Sequence, residues 1–420
     1  MPPPSAGLKA PALHVRGVAH RARKGHLCGT QRTVAPGETL ERIRPHLRRA
    51  GITRLANITG LDRVGIPVTL ALRPNSPTIV CSAGKGLTLD AAWVSGAMEA
   101  LELFHAERLS LPVLRASYEE LPSPVRVPLE QLPLTRHSLF HARRPYDWVM
   151  GWELLGEREV AVPIQLVDLV RGRERGPELL PFQASANGLA SGNVLLEALA
   201  HGLFEVVERD AAACWELALG RQGRHPPRVR LDTIEHPPMR ELLERLAQAG
   251  IEPFLFDCSM DTAVPVYAAY VMDPLQLHTG MSKGYGAHLD PNVAMTRALT
   301  EAVQGRTVLI AGSRDDVFRS QHRRMRHMDN PESHRMIREL PEVVDARERV
   351  SEATPTFEGD VALVLEKLRR VGLERVIVFD LSREDFPLHV VKTVVPGLEG
   401  PRLDFYRPGP RAESFAADAA

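Results

Sequence analysis

His201-Gly-Leu-Phe-Glu205-Val-Val-Glu208 decides the reading of this chain, because the same helix face is written twice more. The other copies are Ser95-Gly-Ala-Met-Glu99-Ala-Leu-Glu102 and Arg297-Ala-Leu-Thr-Glu301-Ala-Val-Gln304. Each sets polar groups at i, i+4 and i+7, which fall on one side of a helix. The other side is Ala, Leu, Val and Phe, so each helix is packed rather than free. Glycines precede every copy, in Gly84-Lys85-Gly86, Ser191-Gly192-Asn193 and Gly284-Tyr285-Gly286. The pattern reads as turns opening onto helix N-termini, which favour phosphate. Packed helices that aim carboxylates the same way repel one another, and divalent cations bridging to phosphates relieve this. The repeat thus points to a metal–nucleotide site. Its acids are Glu99, Glu102, Glu205, Glu208 and Glu301. Arg32, Arg42, Lys85, Arg209 and Arg297 are available for phosphate oxygens.

A second repeat sets the fold class. An amphipathic helix over 39–50 leads to Gly51-Ile52, a strand, a turn at Gly60-Leu-Asp62 and a strand starting at Pro67-Val68. A helix over 239–249 leads to Gly250-Ile251, a strand over 254–256 and Pro265-Val266. A helix over 362–371 leads to Gly372-Leu373, a strand over 376–379 and Pro387-Leu388. Helix, glycine cap, strand, turn and proline-started strand recur at matching spacing. A weaker hairpin lies at 160–167, with Pro163 inside it. It precedes the middle acidic helix together with Ser185-Ala-Asn-Gly188. The expectation is an α/β (α+β) protein of repeated helix–β-hairpin–helix units, with sheet layers covered by helices and the acidic helices converging where units meet.

Composition narrows the class. Lys+Arg and Asp+Glu both number 52, so no long-range field draws the chain to nucleic acid or an anionic membrane. Cys28, Cys81, Cys214 and Cys258 lie far apart, not at zinc-ligand spacing, which reads as a reduced cytoplasmic protein with incidental thiols. No apolar run is long enough for a membrane helix, and the first residues lack a signal-peptide core. Residues 1–28 read as a flexible basic arm, 29–405 as one domain and 406–420 as a flexible tail. A basic insertion at 313–340, with Arg319, Arg323, Arg324, Arg326 and Arg335, reads as a solvated helix or a docking surface for an acidic partner. No Walker A, HExxH or GxSxG motif is present.

The motifs Ser95-x3-Glu99-x2-Glu102 and Asn193-x3-Glu197-x3-His201-x3-Glu205-x2-Glu208-Arg209 resemble the YcaO superfamily. The similarity runs over about residues 30–401. Arg32-Thr33 with Pro36, Thr39 and Arg42, and Gly51 through Arg63, look most like the branch that works beside a TfuA partner. The resemblance implies a YcaO-like fold around a non-Walker ATP site, with ATP and Mg²⁺ as cofactors and a peptide as substrate. A nucleophile adds to a backbone amide carbonyl, ATP phosphorylates the oxygen, and phosphate leaves. It implies Glu99, Glu102, Glu205 and Glu208 as metal ligands. Ser95, Glu197 and Arg209 match nucleotide contacts, joined by Lys85, Asn193 and His201. Arg32, Thr39 and Arg42 match a phosphate-binding stretch, and Arg297, Glu301 and Gln304 match the third helix by pattern.

Two departures stand out. Leu103 replaces a frequent Arg, and His201 replaces a frequent Gln. Many azoline-forming members carry a Pro-x-Pro-x-Pro tail, but this sequence ends in Ala-Ala with only Arg407-Pro-Gly-Pro410 upstream. The resemblance therefore leans toward thioamide formation with a TfuA-like partner and a sulfur donor. An azoline-forming cyclodehydratase, an amidine-forming cyclase and a non-catalytic ATP-binding accessory protein remain open. A homodimer is one arrangement the resemblance allows.

Overall fold

In the computed structural model, which describes residues 12–170, 180–276, 280–313, 330–401 and 405–417, each polar-faced helix lies on a sheet of its own. The helices used below are α1 (Pro36–Ile43), α2 (Leu89–Ala106), α3 (Leu195–Gln222), α4 (Pro237–Gln248), α5 (Pro291–Ala311), α6 (Asn330–Glu339), α7 (Phe357–Arg370) and α8 (Pro410–Ala417).

The two sequence repeats join into three units. In the first, α1 leads into the antiparallel strands Arg54–Asn57, Val68–Leu72 and Cys81–Lys85, then into α2. In the second, α4 leads into Glu252–Asp257, Val266–Met272 and Met281–Ala287, then into α5. The third is permuted along the chain. Helix α7 leads into Ile377–Asp380 and His389–Val394, but the strand that pairs next is Leu189–Gly192, which runs into α3. The third hairpin thus finds its acidic helix nearly two hundred residues earlier. The hairpin expected at 160–167 to introduce α3 is not formed there: Arg158–Pro163 is a single strand that pairs with Pro145–Glu153, at the far side of that sheet, and Ile164–Leu166 is a helical turn.

One turn is repeated atom for atom. Asn57, Asp257 and Asp380 each end a first strand, and their side chains accept from the amides of Thr59, Ser259 and Ser382 at 3.0, 2.9 and 2.9 Å. Those hydroxyls then accept from the amides of Val68, Val266 and Val390 at 3.0, 3.1 and 3.1 Å, at the beginning of the second strands. A short side chain that mimics a backbone turn fixes each hairpin locally.

The glycines do not form the expected turns. Gly84 lies in Cys81–Lys85, Gly192 ends Leu189–Gly192, and Gly284 and Gly286 lie in Met281–Ala287. Glycine within a strand marks close backbone approach. A Cβ on Gly84 would sit 2.1 Å from the carbonyl oxygen of Ala92 in α2. On Gly286 it would meet the Ala294 oxygen of α5 at the same distance, and on Gly192 the Ala198 nitrogen of α3 at 2.5 Å. Missing side chains let each acidic helix lie directly on its strand.

Three other expectations change. From residue 12 the basic arm is structured: Leu13–Val15 pairs with Val18–His20, and the chain continues along α7. Ala22 exchanges bonds with Glu358 and Phe357, and Lys24 makes a buried ion pair with Asp360. A partner so distant in sequence is invisible to local composition. The tail is also held. In α8, Ala412 and Ala416 pack against Cys214 and Leu217 of α3, and Arg411 bonds the buried Asp210 at 2.8 Å. Ala-rich segments form helices that approach neighbours closely. Of the basic insertion, residues 314–329, with four of its named arginines, lie outside the described residues. The part that forms α6 docks through His334 and Arg338 onto Glu252. Among the described residues no helix is long and apolar enough to cross a membrane.

The close helix–strand contact makes a testable contrast. Gly84→Ala should lower unfolding free energy by about 1–3 kcal/mol or more, since backbone atoms on both sides must shift. Gly220→Ala, in α3 with nothing near its added methyl, should be neutral or stabilising by up to about 1 kcal/mol. Urea titration of both variants checks this; equal effects would contradict the packing account.

Candidate functional site

The three units aim α2, α3 and α5 at one space. Counted from the N-cap residues Thr88, Val194 and Asp290, three positions on each helix coincide. The first is Ser95, His201 and Arg297; the second is Glu99, Glu205 and Glu301; the third is Glu102, Glu208 and Gln304. These side chains line a cavity of about 590 Å³. Arg32, Thr39, Lys85, Asn193, Glu197 and Arg209 line it too. Arg42 does not. Helix α1 turns Thr39, Leu40 and Ile43 inward, which leaves Arg42 outside, paired with Glu38 at 2.8 Å.

At the N-terminal end of α3, Glu197 gathers the chain around it. It accepts from the Thr33 amide and hydroxyl at 2.9 and 2.7 Å and from the Asn193 side chain at 3.1 Å. Arg32 lies 3.7 Å from its other oxygen. Thr39 donates to Asn193 at 3.0 Å, which joins α1 to the same point. Glu197 therefore holds the arm that presents Arg32. The Arg297 guanidinium lies 3.3 Å from Nε2 of His201. Burial, with Arg297 and Arg32 adding to it, keeps His201 well below its ordinary pKa, so its neutral ring accepts from Arg297.

Toward the other end the acids crowd. Burial, reinforced by repulsion from Glu205 and Glu99, pushes Glu102 up to about 8, although Ser191 donates to it at 2.6 Å. Burial raises Glu205 to about 7, with Glu208 adding to it and Arg209 opposing. Glu208 is also raised by burial, and it accepts from the Ala287 amide at 3.1 Å. Glu301 goes the other way: against its burial, Lys85 at 3.0 Å and Arg209 at 3.8 Å hold it at about 2. Gln304 donates to the Ala83 carbonyl at 2.6 Å, tying α5 to the first sheet.

The donor set is buried, hard carboxylate oxygen, which suits Mg²⁺. Among the described residues no three metal-binding side chains converge on one point, so the protein alone forms no complete cage. Mg²⁺ commonly takes one or two carboxylates together with phosphate oxygens, and Lys85, Arg209 and Arg297 line the same cavity.

Three residues around the site were not singled out in the sequence, and of these Ser191 lines the cavity. Thr33 and Ser191 fix Glu197 and Glu102, and both sit inside motifs already quoted. Lys392 is fully buried in the third sheet, donates to the Ser185 carbonyl at 2.7 Å, and is lowered to about 7 by burial against the pull of Glu205. No sequence signal marked it. Cys28 and Cys81 line the cavity, while Cys214 and Cys258 belong to the cores.

Comparison with known proteins agrees with this geometry. Residues 83–399 match the family described as YcaO cyclodehydratase, ATP- and Mg²⁺-binding. A protein of Methanothermobacter thermautotrophicus is 36% identical over 390 residues, 91% of this chain and 98% of its own length. A protein of Rhizobium leguminosarum bv. trifolii, described only by its place in the tfuA 3′ region, is 34% identical over 385 residues, 88% of each chain. The structure of YcaO from Methanopyrus kandleri bound with AMPPCP and Mg²⁺ superposes with a TM-score of 0.70 at 26% identity, covering 90% of this chain and 95% of that one. The chain belongs to the YcaO family, and its cofactors are ATP and Mg²⁺.

The crowding of acids has a pH signature. Glu102 titrates higher folded than unfolded, so the folded form holds a proton the unfolded form has lost, and stability falls as pH rises from 4.5 through about 8. Burial also raises Glu205 and Glu208 and lowers His105, His201 and His288, so the comparison must be between variants. Without Mg²⁺, Glu102→Gln should gain stability over wild type by about 1–2 kcal/mol between pH 5 and 8, less than full burial implies because the cavity admits water. Parallel melting curves for the two proteins across that range would contradict the assignment.

Proposed function

We propose that this chain activates a peptide backbone amide by ATP-dependent O-phosphorylation and, with a TfuA-like partner and a sulfur donor, converts it to a thioamide in a ribosomally synthesised peptide or protein. The observation that carries the reading is the opposition of Glu99 and Glu102 on α2 to Glu205 and Glu208 on α3, across one cavity that also holds Lys85, Arg209 and Arg297. In this reading the four glutamates hold Mg²⁺. Bound ATP supplies the phosphoryl group that turns the amide oxygen into a leaving group.

The other residues position and neutralise. Glu301, ionised between Lys85 and Arg209, holds both cations still, so fixed positive charge meets the phosphate oxygens without reorganisation. Neutral His201 orients Arg297, and Glu197 with Asn193 orients Arg32. Ser95, Thr39 and Gln304 supply polar wall to the nucleotide, and Arg42 has no part. Sulfur replaces oxygen at the carbonyl carbon, and the oxygen departs with phosphate.

One observation supports the thioamide product: one relative lies in a tfuA 3′ region. The family description supports the second reading, azoline formation by cyclodehydration. We place the reaction in the cytoplasm, where the four free cysteines stay reduced.

The test is ATP turnover with the candidate peptide, partner and sulfur donor, followed by the intact mass of the peptide. Thioamidation adds about 16 Da, while cyclodehydration removes about 18 Da. Glu99→Gln and Glu205→Gln should each weaken Mg-ATP binding about 10- to 100-fold or more, since even outer partners of metal ligands act on that scale. Nucleotide binding with no turnover under any combination would favour an accessory role instead.

A further inference from the structure

Between Leu132 and Pro145 the chain carries Arg136, His137, His141, Arg143 and Arg144 and no acidic residue. The fold adds a distant cation to this run. Arg136 donates its amide to the Phe405 carbonyl at 2.9 Å, and Thr135 bridges to Tyr406, which brings Arg407 alongside. Arg143 pairs with Glu119. Arg136, Arg144 and Arg407 are exposed, and none has an acidic partner among the described residues.

The loop is held rigidly. Phe140 stacks on Tyr146 at 5.1 Å and meets Phe182 edge-on at 5.3 Å, and the Tyr146 hydroxyl accepts from the His141 amide at 3.0 Å. Leu139 beside it stays 78% exposed. A fixed apolar tip on a loop whose Arg136 and Arg144 have no acidic partner among the described residues has the make-up of an interface anchor rather than of a solvated loop. With zero net charge overall, this local excess is not a property of the whole surface.

The loop also adjoins the cavity wall. Thr135 bonds the Pro181 and Leu180 carbonyls with its amide and hydroxyl at 3.1 and 2.6 Å, and Gln183 donates to the Pro133 carbonyl at 2.8 Å. Ala186, three residues further, lines the cavity, within about 11 Å of extended chain.

We propose that Arg136, Leu139, Arg144 and Arg407 form a docking surface for an acidic, leucine-bearing segment of the peptide substrate. The inference rests on the amide-activating reading only in calling that peptide the substrate. An acidic peptide fits better than nucleic acid, because the loop's aromatic rings pack on one another and leave no platform for base stacking.

The test uses the full chain and a fluorescently labelled peptide of glutamate and leucine, read by anisotropy. Wild type should bind it, more weakly as salt rises, and should not bind the lysine-for-glutamate version. Charge reversal at Arg136→Glu, Arg144→Glu and Arg407→Glu together should cost on the order of tenfold in affinity. Leu139→Ser should weaken binding on its own. Both variants should melt with wild type and keep basal ATP turnover. No binding by wild type, equal binding by the charge-reversed protein, or tighter binding of an oligonucleotide of equal charge would overturn the docking surface. Capture of the peptide without any ATP-dependent mass change in a genuine substrate would count against amide activation and leave the docking surface standing.

Discussion

Carboxylates that share a buried space raise one another's cost of ionisation, and the architecture of this chain follows from meeting that cost. Glu102, Glu205 and Glu208 are all pushed up, while Glu301, at the position equivalent to Glu99 and Glu205, is held down by Lys85 and Arg209. The third helix therefore contributes fixed cations through its acid, and the first two contribute the repelling acids. Such a cluster is tolerable only when a cation enters or protons stay. The structure stores a preference for a divalent metal with its phosphate ligands.

Convergence of three helices on one space requires each to be aimed by something rigid. The strand glycines bring each helix onto its sheet at backbone distance, and the matching Asx turns set the hairpins beneath. Arg306 ties the first unit to the second by bonding both Asp62 and Asp273 out of water. Because the third unit takes Leu189–Gly192 and α3 from earlier in the chain, its sheet forms only when segments nearly two hundred residues apart pair. The site lies at the junction of all three, so its geometry depends on the whole domain.

Much of this was legible beforehand. The i, i+4, i+7 pattern is local to a helix, and the side chains in it line one cavity. Arg42, taken from the resemblance of the N-terminal stretch, lies outside it, because α1 turns it toward Glu38. The hairpin repeat was likewise local. The permutation was not, because it depends on pairing between Val391 and Ala190, far apart in sequence. Glycines were read as turns because a strand glycine and a turn glycine look alike until the helix above is placed. The arm and tail seemed free for the same reason: Lys24 meets Asp360, and Arg411 meets Asp210, only in three dimensions.

The central claim is that the acids of α2 and α3 bind metal together with nucleotide. Crystals grown with Mn²⁺ and a non-hydrolysable ATP analogue, measured at the manganese edge, address it most directly. The account predicts anomalous peaks between Glu99/Glu102 and Glu205/Glu208, bridged to phosphate oxygens. Peaks elsewhere in the cavity, or nucleotide bound without metal near these four side chains, would contradict it.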